Sequence, residues 1–265
     1  MYGFEYTKAS SADQAATVLK GDEDAKVLAG GMTFIPTLKA RLAMPSQVID
    51  LNGVPELAGI VVTDSAVKIG AMTRHTDVAA NAQVQAAIPA LAHLAGNIGD
   101  PMVRNRGTMG GSVANADPAA CYPSAVLGLG ATVHTTARDI SGDDFFTGMF
   151  ETALEDGELI TAITFPRAHM AAYIKFPNPA SRYAMVGVFA SKGPQGVRVG
   201  VTGAAPSAFR FTAAEEALAA NFSPDALSDV SMPADDLNAD MHASADYRAS
   251  LVVTMTKRAV SACLA

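Results

Sequence analysis

No feature of the sequence constrains the fold more than the segment from Gly99 to Ala120, Gly-Asp-Pro-Met-Val-Arg-Asn-Arg-Gly-Thr-Met-Gly-Gly-Ser-Val-Ala-Asn-Ala-Asp-Pro-Ala-Ala. Its four glycines, two prolines and central Thr-Met-Gly-Gly predict an irregular loop rather than a regular helix or strand across its middle. Met102, Val103, Met109, Val113 and the alanines predict that this loop lies against the molecule and not in solvent. Successive N–H groups in such a turn form a nest suited to an anion, commonly a phosphate. A tight crossing of two elements accounts for the same glycines, and the segment alone does not choose between the two.

A second segment of the same kind runs from Lys26 to Leu51. A short apolar strand, Val27 to Ala29, enters Gly30-Gly31; an amphipathic stretch with Leu38 and Leu42 follows, and a second strand, Val48 to Leu51, closes the unit. Strand, glycine turn, helix and strand make a small βαβ unit whose turn presents backbone donors near the helix start. Two Gly-Gly turns, each with a neighbouring threonine (Thr33 and Thr108), are suited to grip the two phosphates of one dinucleotide.

These residues carry a resemblance. Ala29-Gly30-Gly31, Pro36, Lys39, Arg41, Pro45 and Ile49-Asp50-Leu51 in the first segment, with Arg104 to Ser112 and Asp117-Pro118-Ala119-Ala120 in the second, resemble the flavin-binding medium subunits of the molybdenum hydroxylases. That family includes aerobic carbon monoxide dehydrogenase and the xanthine dehydrogenase-like enzymes. The match spans nearly the whole chain, continuing through Phe145-Phe146, Phe150-Glu151-Thr152, Glu158-Leu159-Ile160, Lys175-Phe176 and His242 to Arg248.

The resemblance implies an α+β fold: a two-part FAD-binding domain of the PCMH/vanillyl-alcohol-oxidase type, followed by a small C-terminal domain of antiparallel sheet plus helices. The boundaries expected from it are 1–166 for the FAD-binding domain, divided into a 1–55 βαβ subdomain and a 56–166 subdomain, and 167–265 for the C-terminal domain. It implies that Leu28, Ala29, Gly30, Gly31, Met32 and Thr33, and Thr108, Met109, Gly110, Gly111 and Ser112, contact the dinucleotide. Lys26 is a solvated strand-end lysine on its own terms and lies close to the dinucleotide by resemblance. Asp117 is a candidate for hydroxyl hydrogen bonds and equally for a helix cap. Ile160 and Lys175 match family positions near the flavin, Ile160 reading as plain core on its own; Tyr183 covers the ring or is a core tyrosine. Related oxidases often tether FAD through a histidine or cysteine beside the first turn; Leu28 to Thr33 contains neither, so noncovalent FAD is expected.

At 265 residues, 49% of them hydrophobic, the chain has enough apolar surface for a sizeable core and for two domains or subdomains. No apolar run approaches the roughly 20 residues that cross a bilayer, and the start, Met-Tyr-Gly-Phe-Glu-Tyr, lacks the regions of a signal peptide, so a soluble, cytoplasmic protein is expected, at most at the inner face of the membrane. A net charge of −7 with no basic stripe argues against nucleic-acid binding. Cys121 and Cys263 are the only cysteines, so an iron–sulfur cluster with four cysteine ligands cannot be built from this chain. His75, His93, His134, His169 and His242 show no ligand spacing, and no metal site is expected.

Elsewhere the pattern predicts a helix capped by Ser10 or Ser11 and stopped by Gly21, strands at 60–62 and 67–70, and a helix capped by Thr73. It further predicts a helix over 88–95, a helix restarting at Asp117-Pro118 and ending near Gly128, and strands at 131–135 and 158–166. Antiparallel strands at 173–176, 184–190 and 196–202 and helices at 212–220, 224–227 and 246–264 complete the chain, with 222–240 as a surface connection. No acid–base pair for oxidising a substrate is evident, so no catalytic residue is assigned. The family logic is that a large molybdenum subunit oxidises substrate and a small subunit with two [2Fe–2S] clusters passes electrons to the FAD here. The FAD then delivers them to an external acceptor, quinone or NAD, in a dimer of three-subunit units. Arg104 and Arg106 brace the loop or face such a partner. A stand-alone flavin oxidase or dehydrogenase, a xanthine, aldehyde or N-heterocycle dehydrogenase subunit and a cofactor-free structural module are the alternatives.

Overall fold

A computed structural model describes residues 1–265. Its first sheet is parallel: β1 (Glu5–Lys8) pairs with β3 (Gln47–Asp50), which pairs with β2 (Lys26–Leu28). Between β1 and β2 runs α1 (Ala12–Gly21), whose N-cap Ser11 accepts a hydrogen bond from the Gln14 amide and whose Ala12, Ala15 and Ala16 pack toward Ile49 and Leu57. Between β2 and β3 runs α2 (Phe34–Lys39), so the expected βαβ unit is present. The helix is shorter than its pattern implied. Leu38 is buried, but Arg41 enters the left-handed region at φ 58° and turns the chain, leaving Leu42 79% exposed beyond the helix.

The next sheet is antiparallel, built from the hairpin β4 (Ile60–Val62) and β5 (Ala66–Gly70). Three short helices follow, α3 (His75–Ala80), α4 (Ala82–Ala87) and α5 (Pro89–Gly96). Thr73 does not cap α3. Its hydroxyl accepts from the Gly59 amide at 3.0 Å and donates to the Gly59 carbonyl at 3.1 Å, stapling two loops instead.

The glycine-rich segment corrects the expectation of an irregular loop. It forms two short helices, α6 (Pro101–Arg106) and α7 (Met109–Asn115), broken at Gly107-Thr108. Local capping overrides the glycine content: the Asp100 carboxylate accepts from the Val103 amide at 2.9 Å with Pro101 in the first turn, and the Thr108 hydroxyl accepts from the Gly111 amide at 3.2 Å. Gly110 serves close packing, since a Cβ there would stand 2.5 Å from the Ala71 Cβ. Asp117-Pro118 is likewise corrected. It forms a turn in which Asp117 accepts from the Ala119 amide, and the helix restarts only at α8 (Tyr122–Gly128), with Pro123 in its first turn.

After α8 come β6 (Thr132–Thr135), β7 (Asp139–Ser141), α9 (Gly142–Phe145), the small hairpin of β8 (Phe146–Gly148) and β9 (Glu151–Thr152), and β10 (Ile160–Pro166). The sheet order is β4-β5-β10-β6-β7, and Ile69, Leu91, Met109, Tyr122 and Phe165 lie in the core beneath it.

A third sheet follows, β11 (Met170–Pro177), β12 (Ala184–Gly193), β13 (Gly196–Thr202) and β14 (Phe209–Arg210), antiparallel in that order. It is joined by α10 (Thr212–Ala220) and α11 (Ala245–Leu264), which bury Leu218, Val252 and Met255 against Val188 and Val201. The connection between them is not purely surface, since Leu227 and Leu237 are buried. Every residue of α8 is buried, and β12 and β13 pack against it. A Cβ at Gly200 would stand 2.7 Å from the Gly128 amide, and Arg198 Nε donates to the Leu127 carbonyl at 2.7 Å. Arg198 also pairs with Asp143, which Arg210 meets at 3.3 Å.

Candidate functional site

The two glycine turns, almost eighty residues apart in sequence, touch each other. A Cβ at Gly30 would stand 2.8 Å from Gly107 Cα and closer still to the Arg106 carbonyl, while one at Gly111 would lie 3.3 Å from the Ala29 Cβ. Their meeting forms one wall of a cleft of about 840 Å³, closed by the start of α8 and by the β11–β12 loop. That volume lies toward the upper end of the range of about 300–1,000 Å³ common for small-molecule and cofactor sites.

The cleft brings together Lys26, Ala29, Gly30, Gly31, Met32 and Thr33 from the first segment, Thr108, Gly111, Ser112 and Asp117 from the second, and Lys175 and Tyr183 from the third sheet. Four expected residues do not line it. Leu28 pairs with Asp50 in the parallel sheet, and Met109 and Gly110 point into the core. Ile160 is 5% exposed and pairs with Thr135 in β10, so its core reading is the one the geometry supports.

The turns differ in what their backbone offers. In the first, Gly31 adopts φ 75° and the chain provides no acceptor for the amides of Gly30, Gly31, Met32 and Thr33, which lead into α2. In the second the amides are engaged: Met109 with the Thr73 carbonyl, Gly110 with Ala71, Gly111 with the Thr108 hydroxyl and Ser112 with the Thr108 carbonyl. Of the two glycine turns expected to supply phosphate donors, the first therefore presents a row of unpaired amides, whereas the second keeps only that of Thr108. The first turn fits a pyrophosphate, having a row of unpaired donors that begins with two residues, Gly30 and Gly31, that carry no side chain. The second contributes closeness and hydroxyls.

Polar groups converge on the far part of the cleft. Lys175 Nζ donates to the Asn97 carbonyl at 2.5 Å and lies 3.8 Å from Cys121 Sγ. Burial pushes the Cys121 thiol up, against the opposing effect of Lys175. Burial also raises the Asp117 carboxyl above the usual carboxylate range, and burial with the nearby Asp117 raises Tyr183. Tyr183, 47% exposed, sits on a loop ordered by the Asn178 side chain, which accepts from the amides of Ala180 and Ser181. Arg104 proves to be a brace, donating to the carbonyls of Ile98 and Gly99, whereas Arg106 and Met102 are exposed.

The sequence reading missed His75, Ile98, Val103 and Cys121 as cleft residues. On spacing alone His75 reads as no ligand. The only signal that could find it is its place five residues after Gly70, the end of the strand, next to the Arg74 bridge to Thr108.

A βαβ unit whose glycine turn opens on a cleft of about 840 Å³, backed by a second α+β layer, is the architecture of a dinucleotide-binding protein. Residues 2–168 match the family model described as the FAD binding domain in molybdopterin dehydrogenase, and the chain belongs to that family. It is 34% identical to the carbon monoxide dehydrogenase medium chain of Hydrogenophaga pseudoflava, over 98% of this chain and 96% of that one. It is 33% identical to the nicotine 6-hydroxylase medium subunit of Paenarthrobacter nicotinovorans, over 96% and 95%. The solved structure of reconstituted CO dehydrogenase from Oligotropha carboxidovorans superposes with a TM-score of 0.89 at 30% identity, covering 99% of this chain and 98% of that one. The chain is thus an FAD-dependent oxidoreductase subunit of the molybdenum hydroxylase type, with the two-part α+β fold expected. No helix is long and apolar enough to cross a membrane.

Proposed function

We propose that this chain is the electron-transfer station of a complex of the carbon monoxide dehydrogenase type, holding one FAD noncovalently in the cleft. The observation that carries the reading is the row of unpaired amides from Gly30 to Thr33 facing a dinucleotide-sized cleft. Residues 29–33 hold the pyrophosphate, Thr108, Gly111 and Ser112 approach the same ligand through hydroxyls and bare backbone, and Asp117, Lys175 and Tyr183 address its flavin half. FAD supplies the redox chemistry when bound. The chain's own residues bind and orient it, and Lys175, fixed by the Asn97 carbonyl, places a positive charge at the inner wall.

With two separated cysteines, Cys121 buried and Cys263 half-buried, the chain cannot build a four-cysteine iron–sulfur cluster of its own beside the flavin. In this reading, supported by the medium-chain relatives, a small [2Fe–2S] subunit delivers the electrons, a large molybdenum subunit oxidises the substrate, and an external quinone or NAD receives them, in a dimer of heterotrimers in the cytoplasm. Near-equal identities to a carbon monoxide and a nicotine enzyme fit a flavin subunit whose sequence does not encode the substrate. Residues 1–166, divided near 55, form the FAD-binding domain, and 167–265 the C-terminal domain, a division supported by the family match ending at 168. The test is reconstitution. The purified chain should be yellow, with no turnover until iron–sulfur and molybdenum subunits are added; turnover by the chain alone would show a stand-alone flavoenzyme, and a colourless chain that binds no added FAD would refute the site.

A further inference from the structure

With the amides of Met109 to Ser112 engaged within the fold, the second turn keeps only the Thr108 amide unpaired, and a ligand against it has room for a side-chain donor. His75 stands there. It is 3% exposed yet lines the cleft, and its backbone amide donates to the Gly107 carbonyl at 3.0 Å, fixing the ring against the second turn. Its Nε2 faces Gly107, where a Cβ would stand only 2.6 Å away, so glycine at 107 leaves the space in front of that nitrogen open. Nδ1 is fully buried and has no hydrogen-bond partner; the imidazole packs beside the Tyr122 ring at a centroid distance of 5.3 Å.

These contacts settle the ring's chemistry. Burial, followed by the charge of Arg104, lowers His75 to about 4, so the imidazole is neutral at pH 7. A neutral ring carries one proton, and placing it on Nδ1 would bury an N–H with no acceptor, which is rarer and costlier than burying a lone pair. The proton therefore sits on Nε2, at the cleft wall. Ser112 also lines the cleft, and its hydroxyl makes no hydrogen bond within the chain.

We propose that His75 is a ligand-binding residue of the cleft, donating an uncharged N–H from Nε2, through the gap left by Gly107, to an oxygen of the dinucleotide's pyrophosphate or sugars. This rests on the reading of the cleft as the FAD site. It assigns to a side chain the work that the sequence pattern gave to the second turn's backbone.

The experiment uses the full chain stripped of flavin, with FAD affinity read by quenching of flavin fluorescence. His75→Leu removes the donor and should weaken FAD binding about tenfold, the consequence of one lost neutral hydrogen bond. His75→Gln, which keeps a side-chain N–H, should recover most of the loss. Equal affinity in wild type and His75→Leu, or equal losses in the Leu and Gln variants, would overturn the assignment, the latter showing a packing role only. If the variants fail to fold, ¹⁵N-histidine NMR of the wild type decides. Addition of FAD should shift the His75 Nε2 resonance, and an unmoved resonance at saturation refutes the contact. ADP as ligand separates the sources: a His75→Leu penalty shared by ADP places the oxygen on the pyrophosphate or adenosine side, and a penalty confined to FAD places it on the ribityl side. A wild-type chain that binds no FAD would instead sink the reading of the cleft itself.

Discussion

Gly30 and Gly31 are neighbours in one turn, and alanine should affect them differently. At Gly31 the obstacle is conformational: φ is 75°, and the added Cβ would meet Ile35 Cδ1 at 2.6 Å, the movable end of a side chain. Left-handed backbone costs an L-residue about 1–2 kcal/mol, so Gly31→Ala should lower Tm by roughly 2–8 °C, at about 2–4 °C per kcal/mol for a chain near this size. At Gly30 the obstacle is backbone, with Gly107 Cα at 2.8 Å and the Arg106 carbonyl closer, and neither can rotate away. Overpacking of this kind costs about 3 kcal/mol or more, and it is relieved only by separating the two turns. Gly30→Ala should therefore lower Tm by at least about 6 °C and leave the protein depleted of flavin, while Gly31→Ala retains most of it. Circular dichroism melts and the 450 nm absorbance per chain measure both effects. If Gly30→Ala is the milder variant, or keeps a full flavin complement, the contact between the turns is not what shapes the cleft.

Other consequences are testable in the same way. Acid or heat precipitation should release all flavin into the supernatant, and flavin retained in the pellet would reveal a covalent link. His75 is held neutral in the folded state, at about 4 against 6.5 unfolded, so the unfolded chain binds more protons in between. Stability should accordingly be complete above about pH 6.5 and fall toward pH 4, by up to roughly 3 kcal/mol, and urea titrations should show His75→Gln flattening that slope. Asp143→Ala leaves the buried Arg198 guanidinium without its carboxylate and should cost roughly 2 kcal/mol by denaturation, less than for a fully buried pair because Asp143 is a third exposed. Arg104 braces the loop, which leaves exposed Arg106, with exposed Met102 on the same helix, to face a partner subunit; Met102→Ala with Arg106→Ala should weaken subunit association in co-purification while leaving the flavin spectrum unchanged, and unchanged association would show that this face of α6 meets no partner.

Where local signals agreed with one another, the sequence was legible. The Ser11 cap, the strand–glycine–helix–strand unit and the alternating strands of the third sheet all fell where pattern and turn chemistry coincide. Glycine misled at 99–120, because it signals freedom equally whether used for a turn or for close packing, and the caps at Asp100 and Thr108 decided the outcome. Pairing of backbone amides depends on partners such as Ala71 and Thr73, about forty residues distant, so the second turn's engagement could not be read locally. His75 was invisible for the same reason: only the fold sets it opposite Gly107.

Helix α8 has one further consequence. Its first residues adjoin Cys121 in the cleft, while its later turns lie beneath β12 and β13, with Ser191 donating to the Gly128 carbonyl at 2.6 Å. The segment that defines the family ends at 168, but the cover of this helix comes from residues after it. Transplanting residues 2–168 into another protein would uncover an apolar helix and remove Lys175 and Tyr183 from the cleft. The recognisable family segment is therefore not a portable cassette: grafts and fusions must carry the third sheet with it, and circular permutants must keep the two covalently continuous or co-expressed.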